Sequence, residues 1–218
     1  LFATILEEPL PLEETPEHAF FVSTIGGAAN GATRDRAAAE FDRALGERVS
    51  LLVDWKGRNE EVVAASVREV LGVPRSLLSD DEAILLALDP ASNKTLGQSL
   101  NVSTISKLTR ALSHASYTFR KRLSHSADSQ DQRHRMTPAS RPCLPAYLSD
   151  APDYVRPAIV YEDDGVRQAY DESMARTWDA IRRLRALGVS DEDRAYLLPN
   201  AVSIRFTESA DLLHLHHK

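Results

Sequence analysis

Between residues 34 and 88 the apolar and cap-forming positions mark three short helices. Thr33 stands where an N-cap would open a helix over 34–45, and Gly46 stands where it would stop. Asn59 is placed to cap the next helix, whose stripe is Val63, Val67, Val70 and Leu71, with Gly72 just past its end. Ser79-Asp80-Asp81-Glu82 has the reciprocal spacing of a capping box and predicts a third helix ending before Pro90. Ahead of these lies a Pro- and Glu-rich arm, then His18-Ala19-Phe20-Phe21-Val22, which predicts a short strand at 19–25. The glycines that follow, Gly26-Gly27 and Gly31, predict a loop. They lack both the Gly-Lys-Ser/Thr ending and the spacing that would aim backbone amides at a phosphate.

In the middle of the chain Ile105, Leu108, Leu112, Ala115 and Phe119 step by three and four, which predicts one long amphipathic helix. Past Leu123 the apolar stripe vanishes into a polar run ending Gln130-Asp131-Gln132-Arg133-His134-Arg135. A helix that loses its apolar face either emerges into solvent or lines a polar cavity. Pro138, Pro142 and Pro145 then force a loop. A second long stripe, Val166, Tyr170, Met174, Trp178, Ile181 and Leu184, closes at Gly188 and places Tyr170 and Trp178 in a core. A short helical turn from Ser190 ends at Pro199, Val202, Ile204 and Phe206 alternate as one strand, and a last helix is expected from Ser209. The expected fold class is α+β, mostly helical with a small antiparallel sheet.

Composition narrows the classes. The 218 residues carry a formal charge of −6, with 43% hydrophobic and 6% aromatic residues. That composition suits a folded globular chain, and the acidity and scarce aromatics weigh against a nucleic-acid binder. A single cysteine, Cys143, excludes an internal disulfide and a Cys-rich zinc module. It reads as a small semi-buried residue rather than a nucleophile. No run approaches the roughly 18 apolar residues of a membrane span, and the start of the chain lacks the basic lead and apolar run of a signal peptide. A cytoplasmic setting is expected.

Charge is distributed unevenly. Arg120, Lys121, Arg122, Arg133, Arg135 and Arg141 face only Asp128 and Asp131 between positions 120 and 141. A local positive field in an acidic chain suits a compact anion, because the guanidinium presents a fixed fork of donors to phosphate oxygens. Gln130, Gln132, Ser129 and Ser140 add groups able to read a base edge or a ribose. The alternative is a solvated basic helix end favoured by the helix dipole. His214, His216 and His217 have no carboxylate at matching helical spacing, so they read as helix-end histidines before metal ligands.

Gln130-Asp131-Gln132-Arg133-His134-Arg135 reproduces Gln-x-x-Arg-His-Arg, which resembles the signature of flavin-dependent thymidylate synthases. The downstream order is similar too: a Ser-Arg loop (Ser140-Arg141), a long helix, Arg194 ahead of Leu198-Pro199, a strand at 201–206, and Leu212-Leu213-His214-Leu215-His216-His217. The resemblance covers about residues 104–218. It implies a domain at 101–218 that stops short of the family's last substrate arginine, with 1–100 an unassigned arm and helices, read as the tail of a preceding half in the family's tandem two-half variant.

The resemblance further implies that Gln130, Arg133, Ser140, Arg141 and Arg194 contact deoxyuridine monophosphate. Arg133, His134, Arg135 and His217 would then contact FAD. The reaction implied is methylation of deoxyuridylate to thymidylate, with methylenetetrahydrofolate as one-carbon donor, NADPH as reductant, and a homo-oligomer, expected to be a tetramer, as the working form. Departures are visible: Cys143 falls where the family has a serine, Pro145 where it has an arginine, and Arg141 where it has an acidic residue. They leave open an alternative, a non-catalytic homologue serving as a nucleotide-binding or oligomerisation scaffold.

Overall fold

The computed structural model describes residues 16–20, 23, 30–94, 96 and 106–218. In chain order it contains α1 (Pro16–Phe20), α2 (Asn30–Leu45), β1 (Ser50–Trp55), α3 (Asn59–Leu71), α4 (Asp80–Leu88) and α5 (Lys107–Arg110). Next come β2 (Ser116–Ser124), α6 (His125–Asp131), β3 (Ala139–Ser140), α7 (Asp164–Ala186), α8 (Asp191–Ala195), β4 (Ser203–Asp211) and α9 (Leu212–His217), with three short 3₁₀ turns between them. The strands form one antiparallel sheet in the order β1-β2-β4-β3. The class is therefore α+β and helix-rich, as the sequence predicts.

The chain divides into two compact units. One is built from the described residues up to Arg43 and from Cys143–Pro199; the other is Ala44–Pro142 with Asn200–Lys218. The second unit holds the sheet. Its core joins Val63, Ala64 and Val67 of α3, Ala83 and Ala87 of α4, Leu96, Ala111, Leu112, Ala115 and Leu213. Burial of these side chains is the main force holding α3 and α4 beside the 3₁₀ turn Ala111–His114. The capping box forms as expected: Ser79 Oγ accepts from the Glu82 amide while the Glu82 carboxylate accepts from the Ser79 amide.

Several expectations are corrected. The residues between Leu108 and Phe119 do not form one helix. α5 and a 3₁₀ turn end at His114, and Ser116–Ser124 is a strand; Ile105 lies outside the described residues. Tyr117, Thr118 and Phe119 are strand formers, and β2 pairs with β4 along its whole length, from Ser116 opposite Asp211 to Ser124 opposite Ser203. β1, which no helical or alternating pattern marked, covers the other edge of β2.

Asn59 does not cap α3. It is the helix's first residue and its amide bridges to the Ser116 backbone. Thr33 lies inside α2, which begins at Asn30. Of the strand expected at 19–25, Ala19 and Phe20 are helical in α1 and Ser23 is also described; the remainder lies outside the described residues, as do Gly26 and Gly27. Gly31 is helical. β4 runs on to Asp211, so the last helix starts at Leu212 rather than Ser209.

In the first unit, α7 forms where predicted, but its stripe is buried only from Met174 on: Val166 is exposed and Tyr170 is half-buried rather than in a core. Asp163 caps it by accepting from the Val166 amide at 2.9 Å, and Met174, Trp178 and Ile181 are buried. The Trp178 indole N–H donates to Ser149 Oγ at 3.2 Å, which satisfies the polar atom of a buried ring. Arg34 of α2 pairs with Asp191 at 2.7 Å and donates to the Leu148 carbonyl at 3.1 Å.

Candidate functional site

The polar run after β2 is held by a short helix and a series of tight turns. Ser124 opens α6 by accepting from the Ala127 amide at 3.2 Å. Past Asp131 the backbone tightens: the Arg133 amide donates to the Gln130 carbonyl at 3.1 Å and the His134 amide to the Asp131 carbonyl at 3.2 Å. Thr137 Oγ1 closes the next turn on the His134 carbonyl at 3.0 Å. This tightening swings Arg133 and His134 off the helix line, so the motif sits on a turn rather than on the end of a long helix.

α9 supplies the facing wall. Asp211 caps it, accepting from the His214 amide at 2.8 Å, and its carboxylate also lies 2.7 Å from His214 Nδ1. The rings of His134 and His214 meet edge to face at 6.0 Å. Between the two segments lies an open cleft of ≈ 540 Å³, lined by Gln130, Arg133 and His134 on one side, His217 and Lys218 on the other, and Asp131, Leu123 and Ala127 below. Two of its imidazole nitrogens, His134 Nε2 and His217 Nε2, are buried and make no hydrogen bond among the described residues. A buried polar atom without a partner is costly, so both are ready to meet a polar group of a ligand. Burial, and then the nearby His216, His134 and His214, hold the His217 imidazole below its ordinary pKa. It is therefore largely neutral near pH 7.

Of the residues expected at the site, Gln130, Arg133, His134 and His217 converge on this cleft. Arg135 is exposed next to it in sequence. Ser140 is exposed on β3, opposite Thr207. Arg141 is engaged elsewhere: it donates to Asp128 at 2.7 Å and Asp131 at 3.2 Å, with its guanidinium 4.4 Å from the centre of the Phe206 ring. Arg194 belongs to the other unit, where it is buried, ion-paired to Asp191, and donates to the Val189 carbonyl. Cys143 is exposed. No group of histidines, cysteines and carboxylates among the described residues could hold a metal ion.

Sequence reading missed Lys218, Asp131 and, beneath them, Glu208. The alternation Val202, Ile204, Phe206 carries on to Glu208, and that carboxylate is completely buried on the inward register of β4. A charge on the buried phase of a strand was the available signal.

The model of the thymidylate synthase complementing protein family matches residues 51–218. A crystal structure of thymidylate synthase X from Helicobacter pylori with FAD and dUMP is similar at 15% identity, covering 76% of this chain and 79% of that one, with a TM-score of 0.48. A second structure, the flavin dependent thymidylate synthase of Helicobacter pylori complexed with FAD and dUMP, is 14% identical over 76% of this chain and 80% of that one, with a TM-score of 0.50. No curated protein sequence matches. The family match takes in every strand but the first residue of β1, together with the Gln-x-x-Arg-His-Arg turn and both walls of the cleft, and on that ground the chain belongs to the thymidylate synthase complementing protein family.

Proposed function

We propose that the chain is a flavin-dependent thymidylate synthase that binds FAD and deoxyuridine monophosphate. One observation carries the reading beyond family membership: four residues that the resemblance associates with these ligands, three from the motif and His217, share a cleft, and two of them present buried, unsatisfied ring nitrogens there. FAD, when bound, supplies the redox chemistry. The chain's own part is placement and electrostatics. Arg133, exposed on the cleft wall, offers a charged fork for phosphate; Gln130 can both donate to and accept from a base edge. Neutral His217 can meet a cofactor's polar atoms without adding to the local charge, and His134 presents its buried Nε2 to the same cleft. Methylenetetrahydrofolate as one-carbon donor, NADPH as reductant, a tetrameric assembly and a cytoplasmic location complete the proposal. No helix among the described residues is long and apolar enough to cross a membrane.

A visible titration tests it. Bound oxidised flavin is expected to show bands at about 375 and 450 nm, and a protein that takes up no FAD removes the proposal. Arg133→Ala should weaken deoxyuridylate binding about tenfold or more, the value of one charge-assisted phosphate contact; unchanged affinity would show that the phosphate lies elsewhere. A second reading, a homologue that binds nucleotide without turnover, is favoured by Arg141 and Arg194 being consumed in internal ion pairs. Release of tritium from 5-labelled deoxyuridylate separates the two.

A further inference from the structure

Beneath the cleft lies a lattice of alternating charge. Lys121 Nζ on β2 stands 2.9 Å from one oxygen of Glu208, and Lys218 Nζ stands 2.5 Å from the other. Both ammonium groups also meet Asp131, at 3.5 and 2.9 Å. Asp131 in turn receives Arg141, whose other donor bonds Asp128, and Asp128 takes the Gln132 amide at 2.7 Å. Lys218 further donates to Thr137, which closes the turn on the His134 carbonyl. Glu208 is 0% exposed and Asp128 2%.

Burying such a set is poor economy for stability alone, because desolvation consumes much of the Coulombic gain and a well-packed apolar replacement is often as stable. What the lattice does supply is direction. Each charge engages two or three neighbours, and the contacts converge on the segment from Asp128 to Thr137. That segment carries Gln130, Arg133 and His134, whose outward side chains are exposed or half-buried and have little apolar packing of their own to orient them.

We infer that Glu208 is a positioning residue: through Lys121 and Lys218 it clamps Asp131, and thereby sets the Gln130–His134 wall of the cleft for its anionic ligands. The inference rests on the FAD and deoxyuridylate reading for its ligands, but not for its mechanics. The Asp131 and Glu208 carboxylates also meet directly through a side-chain hydrogen bond, and the mechanics predict that loss of the Glu208 charge loosens the turn beyond that contact. They also predict that Glu208 and Asp131 act as one unit, since the lysines transmit nothing once either end is neutral.

The test is a double-mutant cycle with Glu208→Gln, Asp131→Asn and the pair, using full-length protein and FAD as the probe. Each single change should weaken FAD binding about tenfold, and the pair should weaken it no further than one alone. Glu208→Asp, which keeps the charge, should recover most of the loss. Losses that multiply in the pair would overturn the inference, as would Glu208→Asp behaving like Glu208→Gln. Amide hydrogen exchange in the ligand-free protein decides the matter separately. Glu208→Gln should speed exchange at residues 130–137 while leaving the α3 amides unchanged; uniform acceleration, or none at 130–137, refutes the positioning role. If Glu208→Gln does not fold, Asp131→Asn, whose side chain is partly exposed, gives the same exchange readout. Wild-type protein that binds no FAD but shows the local exchange effect would sink the functional proposal and leave this one standing.

Discussion

His217 shows how a single side chain ties cleft chemistry to pH. Burial first, then His216, His134 and His214, lower its pKa from the ordinary 6.5, so the folded protein binds this proton less readily than the unfolded chain does. With more protons bound in the unfolded state, stability rises with pH through the window just below 6.5. His217's contribution is complete above that value and is lost as pH falls toward the folded pKa. Urea unfolding at about pH 5 and pH 8 should show that loss, and His217→Asn should reduce the difference between the two. An equal pH dependence in the variant would show that another group is responsible. The same shift predicts that an anionic ligand beside His217 draws a proton in, so FAD binding should be accompanied by proton uptake below pH 7. At this scale the sequence names residue types through a motif, and the structure shows Gln130, Arg133, His134 and His217 lining one cleft. The sequence is not readable for Arg141, whose partners Asp128 and Asp131 are brought to it by folding and not by helical spacing; Arg194 instead pairs with Asp191 three residues earlier, a spacing the sequence does offer.

Elements were legible in proportion to how local their determinants are. α3, α4 and α7 carry their own stripes and, in α4 and α7, their own caps, so the sequence suffices to place them. β2 was hidden because Leu108, Leu112, Ala115 and Phe119 keep helical spacing across a 3₁₀ turn. Its charged run Arg120-Lys121-Arg122 also resembles a solvated helix face until Glu208 arrives from far along the chain. Asn59 illustrates the same limit. Its amide nitrogen donates to the Ser116 carbonyl and its amide oxygen accepts from the Ser116 N–H, both at 3.1 Å, beside the Lys56 N–H that donates to the same carbonyl at 3.2 Å. Asn59 is buried, and its removal leaves both backbone groups without that partner. Asn59→Ala should therefore cost about 2 kcal/mol of stability, measured by denaturant unfolding, and Asn59→Asp, which sets a buried carboxylate oxygen against the Ser116 carbonyl, should cost at least as much. A neutral Asn59→Ala would show that water replaces the bridge.

The whole molecule sets how much of a site one chain can build. A cleft of ≈ 540 Å³ matches the roughly 300–1,000 Å³ that holds one drug-sized ligand. A flavin dinucleotide together with a substrate nucleotide is more than one such ligand. Gln130, Arg133 and Arg135 are exposed beside that cleft, so the two walls that a single chain offers leave it open to solvent. If further copies of the chain supply the remaining walls, binding and assembly are thermodynamically linked: FAD that favours the assembled form must stabilise it, and dilution must weaken FAD binding. Sedimentation of the flavin-bound protein should then give a mass several times 24.1 kDa. Apparent FAD affinity should fall as protein is diluted through the concentration at which that mass is lost. A 24.1 kDa species that keeps its FAD affinity across about a hundredfold dilution would mean that one chain encloses the cofactor unaided, and the expectation of a shared site would have to be abandoned.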